Sequence, residues 1–134
     1  MEKHQTRLRV RYAETDQMGV VYHANYLVWM EMGRTEYCRA GGIRYRDMED
    51  GDGIRLAVVD VHCRYASPAR YDDEIVVSTR IASANRRMVE FAYELCSHDG
   101  RSLATGETKH IYLDAGLKPT KLPEKYYALF GIAD

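Results

Sequence analysis

Long apolar runs are missing from this chain of 134 residues. No stretch approaches the roughly 20 consecutive apolar positions that a membrane-spanning helix needs. Cysteine is scarce and scattered: Cys38, Cys63 and Cys96 are odd in number and include no Cys-x-x-Cys pair. Reduced thiols serving as small core residues fit that pattern better than a disulfide framework or a zinc site. Neither charge sign dominates, since 19 basic and 20 acidic side chains leave a formal net charge of −1. An extended basic surface for nucleic acid is therefore not on offer. Also missing are a Gly-rich phosphate loop, a metal-ligand spacing and a Ser/His/Asp grouping. The opening Met1-Glu2-Lys3-His4-Gln5-Thr6-Arg7 lacks the apolar centre of a signal peptide. These absences predict a soluble, cytoplasmic protein with one domain over residues 1–134. They predict no metal, no resident cofactor, no nucleic-acid partner and no membrane insertion.

What is present is tyrosine, eleven residues of it beside two phenylalanines and one tryptophan. A side chain with an apolar body and a polar tip suits strand faces, subunit interfaces and pockets. Arg7 to Tyr12 alternates, with Leu8, Val10 and Tyr12 on one face, and predicts a strand. A turn closed by Gly19 follows, and a helix is predicted from Ala24 or Asn25 to Ala40. Its apolar positions Tyr26, Met30, Gly33, Tyr37 and Ala40 recur at steps of four and three, and Gly41-Gly42 supplies the stop. Gly33 admits close approach of a packed neighbour.

Arg44 to Gly53, polar and acidic, reads as a loop. Strands are predicted over Leu56–Tyr65, Glu74–Ser83, Met88–Ser97 and Ser102–Asp114, with Ala57, Val59, Val61, Cys63 and Tyr65 sharing one face of the first. Pro68 marks a connector, Asn85-Arg86-Arg87 and His98-Asp99-Gly100 mark turns, and Glu124–Phe130 a short terminal helix. One buried helix and one contiguous antiparallel sheet define an α+β domain in which the sheet wraps the helix.

Chemistry concentrates between Tyr12 and Tyr26. An aspartate in a glycine-closed turn, such as Asp16, commonly accepts a backbone hydrogen bond as an Asx turn. The other reading is that its carboxylate faces an electrophile beside a helix N-terminus, where free N–H groups stabilise developing negative charge. His23 lies at the helix start, where its backbone N–H is one of those donors and its imidazole could orient a carbonyl or water. Asn25 reads most simply as a helix cap, and Glu31/Arg34 and Glu36/Arg39 as ordinary helical charge pairs. Arg86 and Arg87 on one hairpin suit the phosphates of a nucleotide-bearing ligand. Lys118 and Lys121 flank Pro119 in the same spirit.

The run Tyr12-Ala13-Glu14-Thr15-Asp16-Gln17-Met18-Gly19-Val20-Val21-Tyr22-His23-Ala24-Asn25-Tyr26, with Glu31, Arg34 and Glu36 after it, resembles the hotdog-fold acyl-CoA thioesterases of the 4-hydroxybenzoyl-CoA thioesterase superfamily. It is most similar to the Tol–Pal-linked branch. The connector Tyr65-Ala66-Ser67-Pro68-Ala69-Arg70-Tyr71-Asp72-Asp73 continues the likeness. The resemblance implies a five-stranded antiparallel sheet wrapped around one long central helix. It implies dimers with a continuous sheet, often paired into homotetramers, with active sites at the subunit interface. It places the nucleophile or general base on Asp16 and the carbonyl-polarising helix N-terminus at Tyr22 and His23. It places CoA contacts on Arg86 and Arg87, and Met18, Tyr22, Trp29 and Tyr65 are candidate liners of the acyl pocket. The CoA thioester would be the substrate. Gln17-Met18 departs from the small residues often found after the aspartate in related sequences, which bears on the acyl group and not on the reaction. Two alternatives accompany this reading: a hotdog dehydratase acting on a hydroxyacyl thioester, and a non-catalytic acyl-CoA-binding or interaction module.

Overall fold

The structure is a computed structural model and describes residues 3–133. Five strands form one antiparallel sheet: β1 (His4–Arg9), β2 (Arg55–Tyr65), β3 (Glu74–Ala84), β4 (Met88–Ser97) and β5 (Ser102–Leu113). Their order is β1-β3-β4-β5-β2, so β1 and β2 are the edges. Helical residues divide among three segments: α1 (Asn25–Ala40), α2 (Tyr45–Gly51) and α3 (Tyr127–Phe130). A 3-10 turn over Glu124–Tyr126 leads into α3.

The helix α1 lies against β1, β3 and β4 on one face of the sheet. Its inward residues are Tyr26, Trp29, Met30, Gly33 and Cys38. Gly33 has the close approach its sequence position predicted. A Cβ there would come within 2.5 Å of Thr79 Oγ1 and 2.8 Å of Val77 Cγ1, so the missing side chain lets α1 sit directly on β3. Phe91, Leu95, Leu103 and Tyr112 fill the space from the sheet side.

Several expectations are corrected. The first strand ends at Arg9, not Tyr12: Val10 still donates its N–H to Asp73 O (2.9 Å), but its carbonyl takes the N–H of Asp72, a residue at φ +70 where the opposite strand has turned away, and Tyr12–Glu14 coils into a 3-10 turn. Tyr12 is consequently 77% exposed. The segment expected as a loop at Arg44–Gly53 contains α2, anchored by the buried Met48 and opened by an Arg44–Asp47 ion pair at 3.1 Å. In β2, a bulge falls between Val58 and Asp60. An extra residue breaks the two-residue alternation, so the single face expected for Ala57, Val59, Val61, Cys63 and Tyr65 is interrupted, and Val58, Val59 and Val61 are 46%, 52% and 42% exposed.

Candidate active site

The chain between Glu14 and Tyr26 is a small clip. Thr15 and Val21 pair as an isolated bridge, and Asp16 N–H donates to Val20 O at 2.9 Å. Gly19, at φ +80, makes the reversal, a conformation that strains residues with a Cβ. Asp16 Oδ1 accepts the Met18 N–H at 2.9 Å. The aspartate therefore makes the Asx turn, and that bond occupies only one of its two oxygens. The half-buried carboxylate also lines a cleft, so the two readings of Asp16 coexist.

Past the clip the backbone begins to coil. Asn25 N–H donates to Tyr22 O (2.9 Å) and Tyr26 N–H to His23 O (3.3 Å). Tyr22 N–H is taken by Glu14 O at 2.8 Å. Among the described residues no acceptor takes the His23 N–H, one of the orphan donors of a helix start. The Tyr65 hydroxyl, from the end of β2, donates to His23 O at 2.9 Å. Its phenol is pushed up to about 12, first by burial and then by the Cys63 side chain, so it stays a donor at neutral pH.

Asp16, Met18, His23 and Tyr65 meet in one cleft of about 320 Å³, with Val20, Val21, Tyr26 and the Ala66-Ser67-Pro68 connector as further walls. The connector is held in place by Ala69, whose carbonyl accepts the Val21 N–H (2.8 Å) and whose N–H donates to Tyr26 Oη (3.3 Å). A groove of about 540 Å³ between β1 and α1 is larger and takes in Glu31 and Glu36, but it contains none of the residues expected in catalysis, the acyl pocket or CoA contact. Asp16 sharing its wall with His23 at the helix start, not size, marks the smaller cleft.

Other predicted site residues lie elsewhere. Tyr22 is not in the cleft wall and packs against the His23 ring at 4.5 Å between centroids. Trp29, expected as a pocket liner, is instead fully buried and donates its indole N–H to Glu14 Oε2 at 2.9 Å. Arg86 and Arg87 are exposed on the β3–β4 turn, which Asn85 Oδ1 shapes by accepting the Arg87 and Met88 N–H groups (2.8 and 3.0 Å). Register puts Met88 opposite Ile111 and Ile111 opposite Ala57, eight residues from Tyr65 along β2. At the rise of a strand this is about 26 Å, so one chain does not bring the arginines to its own Asp16 cleft.

The sequence assigns Glu14 no role beyond its place in the Tyr12–Tyr26 run, yet it is the buried acid of the region, at 5% exposure. Burial pushes its carboxyl up. Hydrogen bonds from the Arg11 N–H (2.8 Å) and the Trp29 indole, with the Arg11 guanidinium, outweigh that and hold it below its ordinary 4.5. A usable signal existed: a lone buried tryptophan needs an acceptor for its N–H. Among the described residues no cluster of three or more His, Cys, Asp or Glu side chains could hold a metal ion.

A five-stranded antiparallel sheet with a helix packed on one face defines a class seen in known proteins. Residues 10–130 match the thioesterase-like superfamily, and the chain belongs to that family. The Bacillus subtilis protein YneP is 43% identical over 80% of this chain and 77% of its own length. The acyl-CoA thioester hydrolase YbgC of Escherichia coli O157:H7 is 30% identical over 92% of each chain. Among solved structures, the DHNA-CoA thioesterase from Staphylococcus aureus superposes with a TM-score of 0.93 at 32% identity, covering 98% of this chain and 90% of that one. A 4-hydroxybenzoyl-CoA thioesterase mutant, crystallised with 4-hydroxybenzoyl-CoA, shares the fold: TM-score 0.87, 18% identity, covering 95% of this chain and 97% of that one.

Proposed function

We propose that the protein is an acyl-CoA thioesterase, hydrolysing a thioester to a carboxylic acid and free CoA. The observation that carries this reading is the convergence of the Asp16 carboxylate and the start of α1 at His23 in one cleft. A thioester carbonyl seated there would point its oxygen at the His23 N–H, since the Tyr22 N–H is engaged by Glu14. Negative charge forming on that oxygen is stabilised by the donor and the positive end of the helix, an effect worth roughly 10²–10³ in rate for one donor. Asp16 acts in one of two ways. It attacks the carbonyl carbon, giving a mixed anhydride that water then cleaves, or it takes a proton from the water that attacks. In both routes the C–S bond breaks and the thiolate leaves to become free CoA. The His23 imidazole orients substrate or water, and Met18 and Tyr65 flank the acyl group.

The site is completed by a second copy. Strand β2 is a sheet edge eleven residues long with Val58, Val59 and Val61 exposed. An edge of that length and character is an open template for another strand. Antiparallel pairing of β2 with the partner's β2 reverses the direction of the second sheet. The end of the partner that carries its Arg86 and Arg87 is thereby brought toward Tyr65 of the first chain, where the two guanidiniums meet CoA phosphates. In that assembly the sheet wraps α1 as its central helix, and two such dimers form a cytoplasmic homotetramer. The names of YbgC and of the Staphylococcus aureus enzyme support the substrate class.

The testing experiment is a screen of aromatic and aliphatic acyl-CoAs of graded length, following free thiol with a thiol reagent and enoyl absorbance in parallel. Thiol release supports the reading. Enoyl product without thiol supports a dehydratase, and tight binding without either product a binding module.

A further inference from the structure

The clip and the helix start hang on one side chain. Glu14 precedes Asp16 by two residues. Its Oε1 takes the Arg11 N–H at 2.8 Å and its Oε2 the Trp29 indole N–H at 2.9 Å. Its backbone carbonyl takes the Tyr22 N–H (2.8 Å) and the Asn25 side-chain amide (2.9 Å). Trp29 lies one turn along α1 from Asn25, so carboxylate and carbonyl grip the same face of the helix. We propose that Glu14 is a positioning residue for the thioesterase site: its buried carboxylate, through Trp29, locks the Asp16 turn onto the N-terminal half of α1, and so sets where the Asp16 carboxylate stands relative to the His23 N–H. This rests on the function proposed above.

The chemistry requires a carboxylate at this place. N–H donors approach both oxygens, and an ionised acid is an acceptor on each side. Glutamine would meet one donor with its oxygen and present its NH₂ to the other, leaving a buried donor unsatisfied. Its partner Arg11 sits 3.6 Å away and balances the charge. Asp16 and His23 are on opposite limbs of the clip, and the Glu14–Tyr22 bond closes its base just outside the Thr15–Val21 bridge. Loosening that base moves one reacting group against the other, and a misplacement near 1 Å costs on the order of 10²-fold in rate.

The test is a cycle of Glu14→Gln, Trp29→Phe and the double variant, each read by kcat, KM and hydrogen exchange of the 15–24 segment. Glu14→Gln should lower kcat by roughly 10- to 100-fold with KM held within about threefold, because geometry at the reacting atoms is lost and binding is not. Exchange in 15–24 should quicken. The double variant should be no slower than the worse single one, since both remove the same bond. Because Trp29 is the chain's one tryptophan, its emission should shift in Glu14→Gln. Folded Glu14→Gln with unchanged kcat, or single effects that simply multiply in the double variant, overturns the proposal. Should Glu14→Gln not fold, Trp29→Phe decides: lowered kcat at constant KM supports it, unchanged kcat overturns it. Quickened exchange in a protein whose wild type releases no thiol would retire the proposed function and leave the clip's dependence on Glu14 standing.

Discussion

The Tyr65 hydroxyl, at the end of β2, donates to the His23 carbonyl at the start of α1 at 2.9 Å. The residue at the helix start thus has its carbonyl tied to the sheet, while its N–H, in the preceding peptide, has no acceptor among the described residues. Tyr65→Phe removes that tie together with the hydroxyl's contact to the Cys63 side chain. Turnover of the best acyl-CoA should fall about fivefold, the equivalent of one net hydrogen bond of about 1 kcal/mol. Steady-state kinetics check this, and unchanged kcat would separate Tyr65 from the site's alignment.

His110 is fully buried on β5, with Nε2 2.8 Å from Thr108 Oγ1, itself 2.6 Å from the Tyr93 hydroxyl. Burial, with the Arg34 charge from α1 adding to it, lowers its pKa from 6.5 to about 4 against a small opposing bond at Leu56. The unfolded chain therefore takes up this proton near pH 6.5, and the folded one only near pH 4. Stability is full above pH 6.5 and falls as pH drops toward 4, by about 3 kcal/mol across the window. Urea unfolding at stepped pH should show that slope in the wild type and a flatter one in His110→Gln.

Gly33 sets the distance between α1 and β3. In Gly33→Ala the new methyl meets Thr79 Oγ1 and Val77 Cγ1 well inside contact distance. Overpacking of this kind costs about 1–3 kcal/mol, and the better helix propensity of alanine returns up to about 1. A net loss of about 1–2 kcal/mol in denaturant unfolding is expected, and a gain in stability would contradict the close approach.

The edge of β2 and the distant arginines make one joint prediction. Val61→Lys, on a residue 42% exposed, should lower the solution mass by splitting the β2 pair and abolish most activity. Mixing Asp16→Asn subunits with Arg86→Ala/Arg87→Ala subunits should restore about a quarter of wild-type activity. Half of randomly re-formed dimers are mixed, and each has one intact site of two. No recovery on mixing would place Asp16 and the arginines outside a shared site.

Periodic and punctuated features were legible before the structure. The α1 pattern, the hairpin at Asn85 and the role of Gly33 each follow from local spacing. So did the meeting of Asp16 with His23, because only seven residues and a glycine turn separate them. Features set by partners distant in the chain were not. The inward turn of Glu14 depends on Trp29, fifteen residues on. The exposure of Val59 depends on a bulge opposite β5. Helix α2 depends on Met48 finding the core, a single apolar anchor in a segment whose polarity reads as loop. Trp29 was misplaced for a related reason: its spacing is right for either core or pocket, and only its acceptor decides.

The most direct measurement is thiol release by Asp16→Asn on the acyl-CoA that the wild type turns over fastest. The asparagine can keep the hydrogen bond from Met18 N–H, so the turn and the fold should persist in circular dichroism. It supplies neither a nucleophile nor a base, and kcat should drop by roughly 10³-fold or more. Folded Asp16→Asn with wild-type turnover would contradict the assignment of this cleft as the site of hydrolysis.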